Sequence, residues 1–135
     1  MAHEIKLLEV PFEAENTMAE KYVVVELGTG AGQVDLPDGA NDKPIGIIQN
    51  TAVANGSVNV CVAGVSKAVA NAAITKGDYL VGVITTGRVA TAPAISSTWT
   101  GTAASTEHVI GIALESAGTG GDIISVLIRP FVIAH

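Results

Sequence analysis

Lys76-Gly-Asp-Tyr-Leu-Val-Gly-Val-Ile-Thr-Thr-Gly-Arg-Val-Ala-Thr91 is the stretch that decides how this chain is read. Residues 79–85 are rich in β-formers and carry no charge. Thr86-Gly87 supplies a turn, and residues 88–91 start back. A β-run, a glycine-containing turn and a second β-run predict a hairpin. Working outward, a second apolar run occupies 108–114 and a third occupies 123–133. Together they predict a small sheet that curls on itself.

The bulk numbers set limits on that sheet. The chain has 135 residues, which suits one domain. Aromatic residues are only 4%, so Val, Ile, Leu and Ala must supply the core. The single Cys61 cannot form an internal disulfide, and its alternating apolar run predicts a buried, inert thiol. Charged residues make up 15% of the chain, against about 25% in an ordinary soluble domain. Mean hydropathy is +0.45, yet no run reaches the ~18 apolar residues of a membrane helix. A surface this poor in charge predicts extensive cover by other protein. Charge is also uneven. Residues 1–42 hold nine acids and two bases, net −7, while 43–135 hold four acids and five bases, net +1. An acidic chain without a basic stripe argues against nucleic acid as a partner, and nothing points to a membrane.

Residues 1–20 read as an extended N-terminal arm, and 21–135 as a single β-barrel-like domain. Leu8, Val10 and Phe12 alternate on one side of the arm, with Pro11 restricting it to an edge. Ile5 and Leu7 sit on the opposite parity, which predicts a bulge near 7–8. The arm must dock on its own domain or on a neighbour, with the reading leaning to a neighbour. Strands are expected at 22–27, 45–48 and 58–62, with Gln33-Val34-Asp35-Leu36 between the glycine stretch 28–32 and a second turn at 37–39. Residues 66–76 place Val69, Ala70, Ala73 and Ile74 at helical spacing, so either one short helix or an irregular connection is expected there. The long Ser/Thr/Ala/Gly loop at 93–107 carries Trp99, a candidate contact anchor.

An internal echo runs through the chain. Pro44-Ile-Gly-Ile-Ile-Gln-Asn-Thr-Ala52 matches Val109-Ile-Gly-Ile-Ala-Leu-Glu-Ser-Ala117. Upstream, Tyr22-Val-Val-Val-Glu-Leu-Gly-Thr-Gly30 resembles Tyr79-Leu-Val-Gly-Val-Ile-Thr-Thr-Gly87. The fold class expected is therefore all-β, a small barrel or sandwich of two pseudo-repeated halves. The repeated Ile-Gly-Ile predicts the same close backbone approach twice.

Chemistry finds little footing. Gly28-Thr-Gly-Ala-Gly32 follows a strand, but position 33 is Gln, and Val34-Asp-Leu-Pro37 blocks the helix that a dinucleotide site needs. Asp35, Asp38, Asn41 and Asp42 lack calcium-loop spacing and suit ordinary turns. His3, His108 and His135 are scattered. No nucleophile motif is present, so the chain is expected to have no catalytic, cofactor or metal site and not to be an enzyme.

The order of motifs carries a resemblance. Val58-x-Val-x-Val-Ala-Gly-Val is followed by an Ala-rich stretch, Ile74-Thr-Lys-Gly-Asp-Tyr-Leu80 and Gly87-Arg-Val. Val109-Ile-Gly-Ile-Ala-Leu-Glu-Ser-Ala117 and a final Val126-Leu-Ile-Arg129 then complete the series. Over roughly 45–130 this resembles the small bacteriophage capsid decoration, or head cement, proteins. The resemblance implies a virion protein on the outer surface of an expanded head, with the major capsid protein and further copies of itself, usually three, as partners. It implies stabilisation of the capsid by binding the mature lattice, with avidity from linked subunits and no catalytic residues. Ile5, Leu8, Val10, Phe12 and Trp99 are the candidate capsid or subunit contacts. A tail or fibre module and a carbohydrate-binding module are the alternatives.

Overall fold

The computed structural model describes residues 2–39, 43–93 and 106–134. Among these residues nine strands form: β1 (Ile5–Ala14), β2 (Val24–Leu27), β3 (Gln33–Asp35), β4 (Pro44–Ile48), β5 (Ser57–Val69), β6 (Tyr79–Gly82), β7 (Val89–Thr91), β8 (Thr106–Ala113) and β9 (Ile123–Ala134). No helix occurs among the described residues, so the fold is all-β. The helical spacing at 66–76 is overruled by pairing. Gly64 faces Ile128 and Val69 faces Ile123, so this stretch opens as the end of β5. A one-turn apolar spacing cannot compete with a full inter-strand ladder, because so short a helix is marginal by itself.

All nine strands join one sheet in the order β1-β3-β2-β4-β5-β9-β8-β6-β7, and β1 also pairs with β5. With β1 set aside, 3-2-4-5 mirrors 9-8-6-7. The register repeats residue by residue, and it places Val24, two residues beyond the Tyr22 of the sequence echo, at the position of Tyr79. Val24, Val25 and Glu26 face Ile47, Gly46 and Pro44, with a bulge after Val25. Tyr79, Leu80 and Val81 face Ile112, Gly111 and Val109, with a bulge after Leu80. Ile47–Cys61 and Ile48–Val60 correspond to Ile112–Leu127 and Ala113–Val126. The parallel pairing of Ala14 with Val34 returns as the parallel bridge between Ala70 and Val89. Met18–Ala52 and Ile74–Ala117 are matching antiparallel bridges. The chain is thus one strand circuit built twice. β5 is shared: 57–62 completes the first half, and 64–69 begins the second.

The two Ile-Gly-Ile glycines do the same job in each half. A β-carbon on Gly46 would collide with the Cys61 carbonyl oxygen and lie 2.6 Å from Val60 Cγ1. One on Gly111 would collide with the Leu127 carbonyl oxygen and lie 3.2 Å from Val126 Cγ1. Only a residue without a side chain lets β4 and β8 approach their partners this closely.

Each half has its own aliphatic core. Val25, Val34, Ile48, Val58 and Val60 lie in the first, and their counterparts Leu80, Val89, Ala113, Ile124 and Val126 lie in the second. Burying each such side chain contributes about 1.5–3 kcal/mol. The second core also takes in Val24, Ile47 and Cys61, from the outer side of the first half. The halves therefore stack in a sandwich-like arrangement. Hydrogen bonds stitch them: Val24 N–H donates to the Gly87 carbonyl at 2.7 Å, and Thr85 N–H to the Pro37 carbonyl at 2.7 Å. Arg88 adds a two-pronged ion pair to Glu20, Nε–Oε1 2.8 Å and Nη2–Oε2 2.9 Å.

The segment read as an arm, 1–20, contributes β1, which runs antiparallel along 57–65 of its own chain. The expected bulge is present, as register shifts on both sides of Leu8. β1 stays in cis because it completes the first circuit, occupying on β5 the place that β5 itself occupies on β9.

Candidate functional site

The stretches considered for chemistry are used structurally. At the β2–β3 turn, the Gln33 side-chain oxygen accepts the Gly30 N–H at 3.0 Å, and Glu15 accepts the Thr29 N–H at 3.3 Å. The amides a phosphate would need are thus turned to the protein's own side chains. Asp35 caps its own turn through the Leu36 N–H at 2.8 Å and accepts from Asn16 at 3.1 Å. Asn41 and Asp42 lie outside the described residues. Cys61 is fully buried, and burial pushes its thiol above the ordinary value. Among the described residues, no group of three or more His, Cys, Asp or Glu is placed to hold a metal.

The residues expected to make contacts divide. Ile5 and Leu8 are 65% and 53% exposed. Val10 and Phe12 are half-buried, opposite Val60 and Val58, and Phe12 packs on the first core. Trp99 lies outside the described residues. Bulging at Leu8 explains the split, because it turns the alternation over and sends Leu8 outward while Val10 and Phe12 face in.

Ile5 belongs to a larger feature. Ile5 sits opposite Val65, Val65 opposite Leu127, Leu127 opposite Ile112, and Ile112 opposite Tyr79. Directly opposed residues share a face, so these five form one apolar row across β1, β5, β9, β8 and β6. Adjacent strands lie about 4.8 Å apart, so the row spans roughly 20 Å. Ile5, Leu127 and Tyr79 are exposed, and Val65 and Ile112 are half-buried. Tyr79 stacks edge-on against Phe131, with centroids 5.0 Å apart, which fixes its ring. Beside the row runs a groove of about 450 Å³ lined by His3, Ile5, Val65, Leu114, Glu115 and Ser125. Its buried Ser125 accepts the His3 N–H through Oγ and donates to Glu115 through both N–H (2.7 Å) and hydroxyl (3.0 Å). Burial pushes the Glu115 carboxyl up, but bonds and charge around it, those from Ser125 among them, together hold the group below the ordinary glutamate range.

Sequence reasoning missed Val65, Tyr79, Ile112 and Leu127. A signal was available: apart from Ser125, 123–128 is apolar on both parities, as in a strand covered on both faces. Among the described residues, one of those faces is covered throughout, while the other leaves Ile123 and Leu127 exposed on either side of the buried Ser125.

No family model matches the chain, and no curated protein does. Among solved structures, the chain is similar to the head fiber gp8.5 N base of bacteriophage phi29, with a TM-score of 0.63 and 17% identity, over 90% of this chain and 93% of that one. At that identity the likeness is one of fold.

Proposed function

We propose that this protein is a structural component of a bacteriophage virion. It sits on the outer surface of the expanded head, where it binds the major capsid protein as a homo-oligomer, a trimer, and reinforces the shell. The observation that carries the reading is the fold shared along nearly the whole chain with the base of a phage head fibre. Two further features support it. The surface is poor in charge, and an apolar row five strands wide faces outward. Catalysis has no part in the reading. A protein that binds the expanded lattice and not its precursor stabilises the expanded state by mass action, and linked copies multiply modest contacts. The neighbour's own description favours a second reading, in which the chain is the base of a fibre rather than a cement between capsomers.

Electron cryomicroscopy of particles from the phage whose genome encodes the chain tests both. Threefold clusters at capsomer junctions support the decoration role. Density continuing into a projecting stalk supports the fibre base. Particles with no density for the chain on the head would overturn both.

A further inference from the structure

The two halves place equivalent rows on their outer faces, and the described residues cover only one of them. In the first half the row is Glu9–Cys61–Ile47–Val24, and in the second it is Val65–Leu127–Ile112–Tyr79. Val24, Ile47 and Cys61 are fully buried, because the second half of the chain lies over them. Their counterparts Tyr79 and Leu127 are 46% and 36% exposed. The second row is the more apolar of the two, since Val65 stands where the first has Glu9 and Ile5 extends it. Nothing among the described residues performs for the second half what the second half performs for the first.

We infer that a second copy of this chain covers the row Ile5–Val65–Leu127–Ile112–Tyr79, docking its first half there head to tail. Two observations choose this occupant. The chain itself shows that such a face is covered by the next repeat in line, and beyond the second half the next repeat available is the first half of another copy. Charge agrees. On the covered face, Glu20 binds Arg88 of the half lying over it. At the corresponding place, in the turn before β6, stands the exposed Lys76. The sign is reversed, as an acidic cover requires, and residues 1–42 carry nine acids against two bases. Leu27, beside the β2–β3 turn and 63% exposed, is an apolar contact that this half offers. The seam that Tyr22 and Val24 enter in the second half is shut in the first by a bond from the Glu13 N–H to the Gly32 carbonyl, 2.9 Å. The contact between copies is therefore one of side chains. Head-to-tail contacts of this kind close into rings when the rotation allows.

This inference names the self-contact of the oligomer proposed above, but its test needs no capsid. Sedimentation equilibrium of the isolated protein up to about 1 mM, the weak end of specific affinities, is expected to show reversible association. Leu127→Glu should weaken it by roughly tenfold or more, whereas Val53→Lys, equally a charge on an exposed apolar site but away from the row, should leave it unchanged. Ile5→Glu, at the open end of the row, should act like Leu127→Glu and serves should that variant fail to fold. Bismaleimide linking of Leu27→Cys chains to Leu127→Cys chains should outpace linking within either pool, since Cys61 is buried. A wild-type monomer throughout, association unmoved by both Glu variants, or preferential 127–127 linking each overturns the proposal. Head binding by a chain that stays monomeric would overturn it and leave the virion role standing.

Discussion

Set side by side, the two halves of this protein share a backbone and differ in what they hide. Both pair their strands in the same register, bulge at the same step and use a glycine at the same close approach. Yet Ile47 is wholly buried, while Ile112, its counterpart, is half-exposed. The difference lies in position along the repeat. A strand's inward face is fixed by its own circuit, but its outward face is buried only when another body lies on it. An exposed apolar row in one half, opposite a buried one in the other, is therefore a difference in cover and not in packing within the circuit.

The comparison breaks most sharply at the glycines. Gly46→Ala and Gly111→Ala should each cost about 3 kcal/mol, the upper range for overpacking, because the new methyl meets a backbone carbonyl that cannot move without its strand. Urea unfolding checks this. Comparable losses confirm that the sites are equivalent, and a tolerated alanine at either would break the correspondence. A subtler contrast comes from truncating the outer row. Ile47→Ala should cost about 3 kcal/mol as a buried cavity, while Ile112→Ala should cost about 1 kcal/mol or less in dilute protein. If self-association covers that face, the cost of Ile112→Ala should rise with protein concentration.

The smallest effect concerns the contact between the halves. Arg88 bonds Glu20 directly and holds its carboxyl below the ordinary value of 4.5. A lowered carboxylate contributes stability above its unfolded value and loses it as pH falls through the folded one. The pair should therefore stabilise the protein at neutral pH and fade below about pH 4.5. Glu20 is 41% exposed, so solvent screens the pair and its contribution is small. Thermal melts of Arg88→Met against wild type should differ slightly at pH 7 and draw together as the pH falls below the ordinary glutamate value; an unchanged gap would assign the loss to packing.

Much of the fold was legible in the sequence. Alternating Val and Ile named most of the strands, and the Ile-Gly-Ile echo named the repeat, because both depend on side chains within a few residues of each other. The candidate site was half legible. Ile5 was named as a contact because it lies on the apolar N-terminal arm, but its partners across the sheet were not, since opposition in a ladder depends on register between strands up to 122 residues apart (Ile5 to Leu127).

By itself, the sequence determined an aliphatic all-β chain made of one motif written twice, with too little charge to coat its surface. Tertiary structure alone decided that β1 completes a circuit on its own chain, that 66–69 extend β5 rather than coil, and which outer row is left bare. The physical reason is range. Periodicity and turn chemistry are local, whereas burial of a sheet's second face depends on what the rest of the chain brings to lie against it.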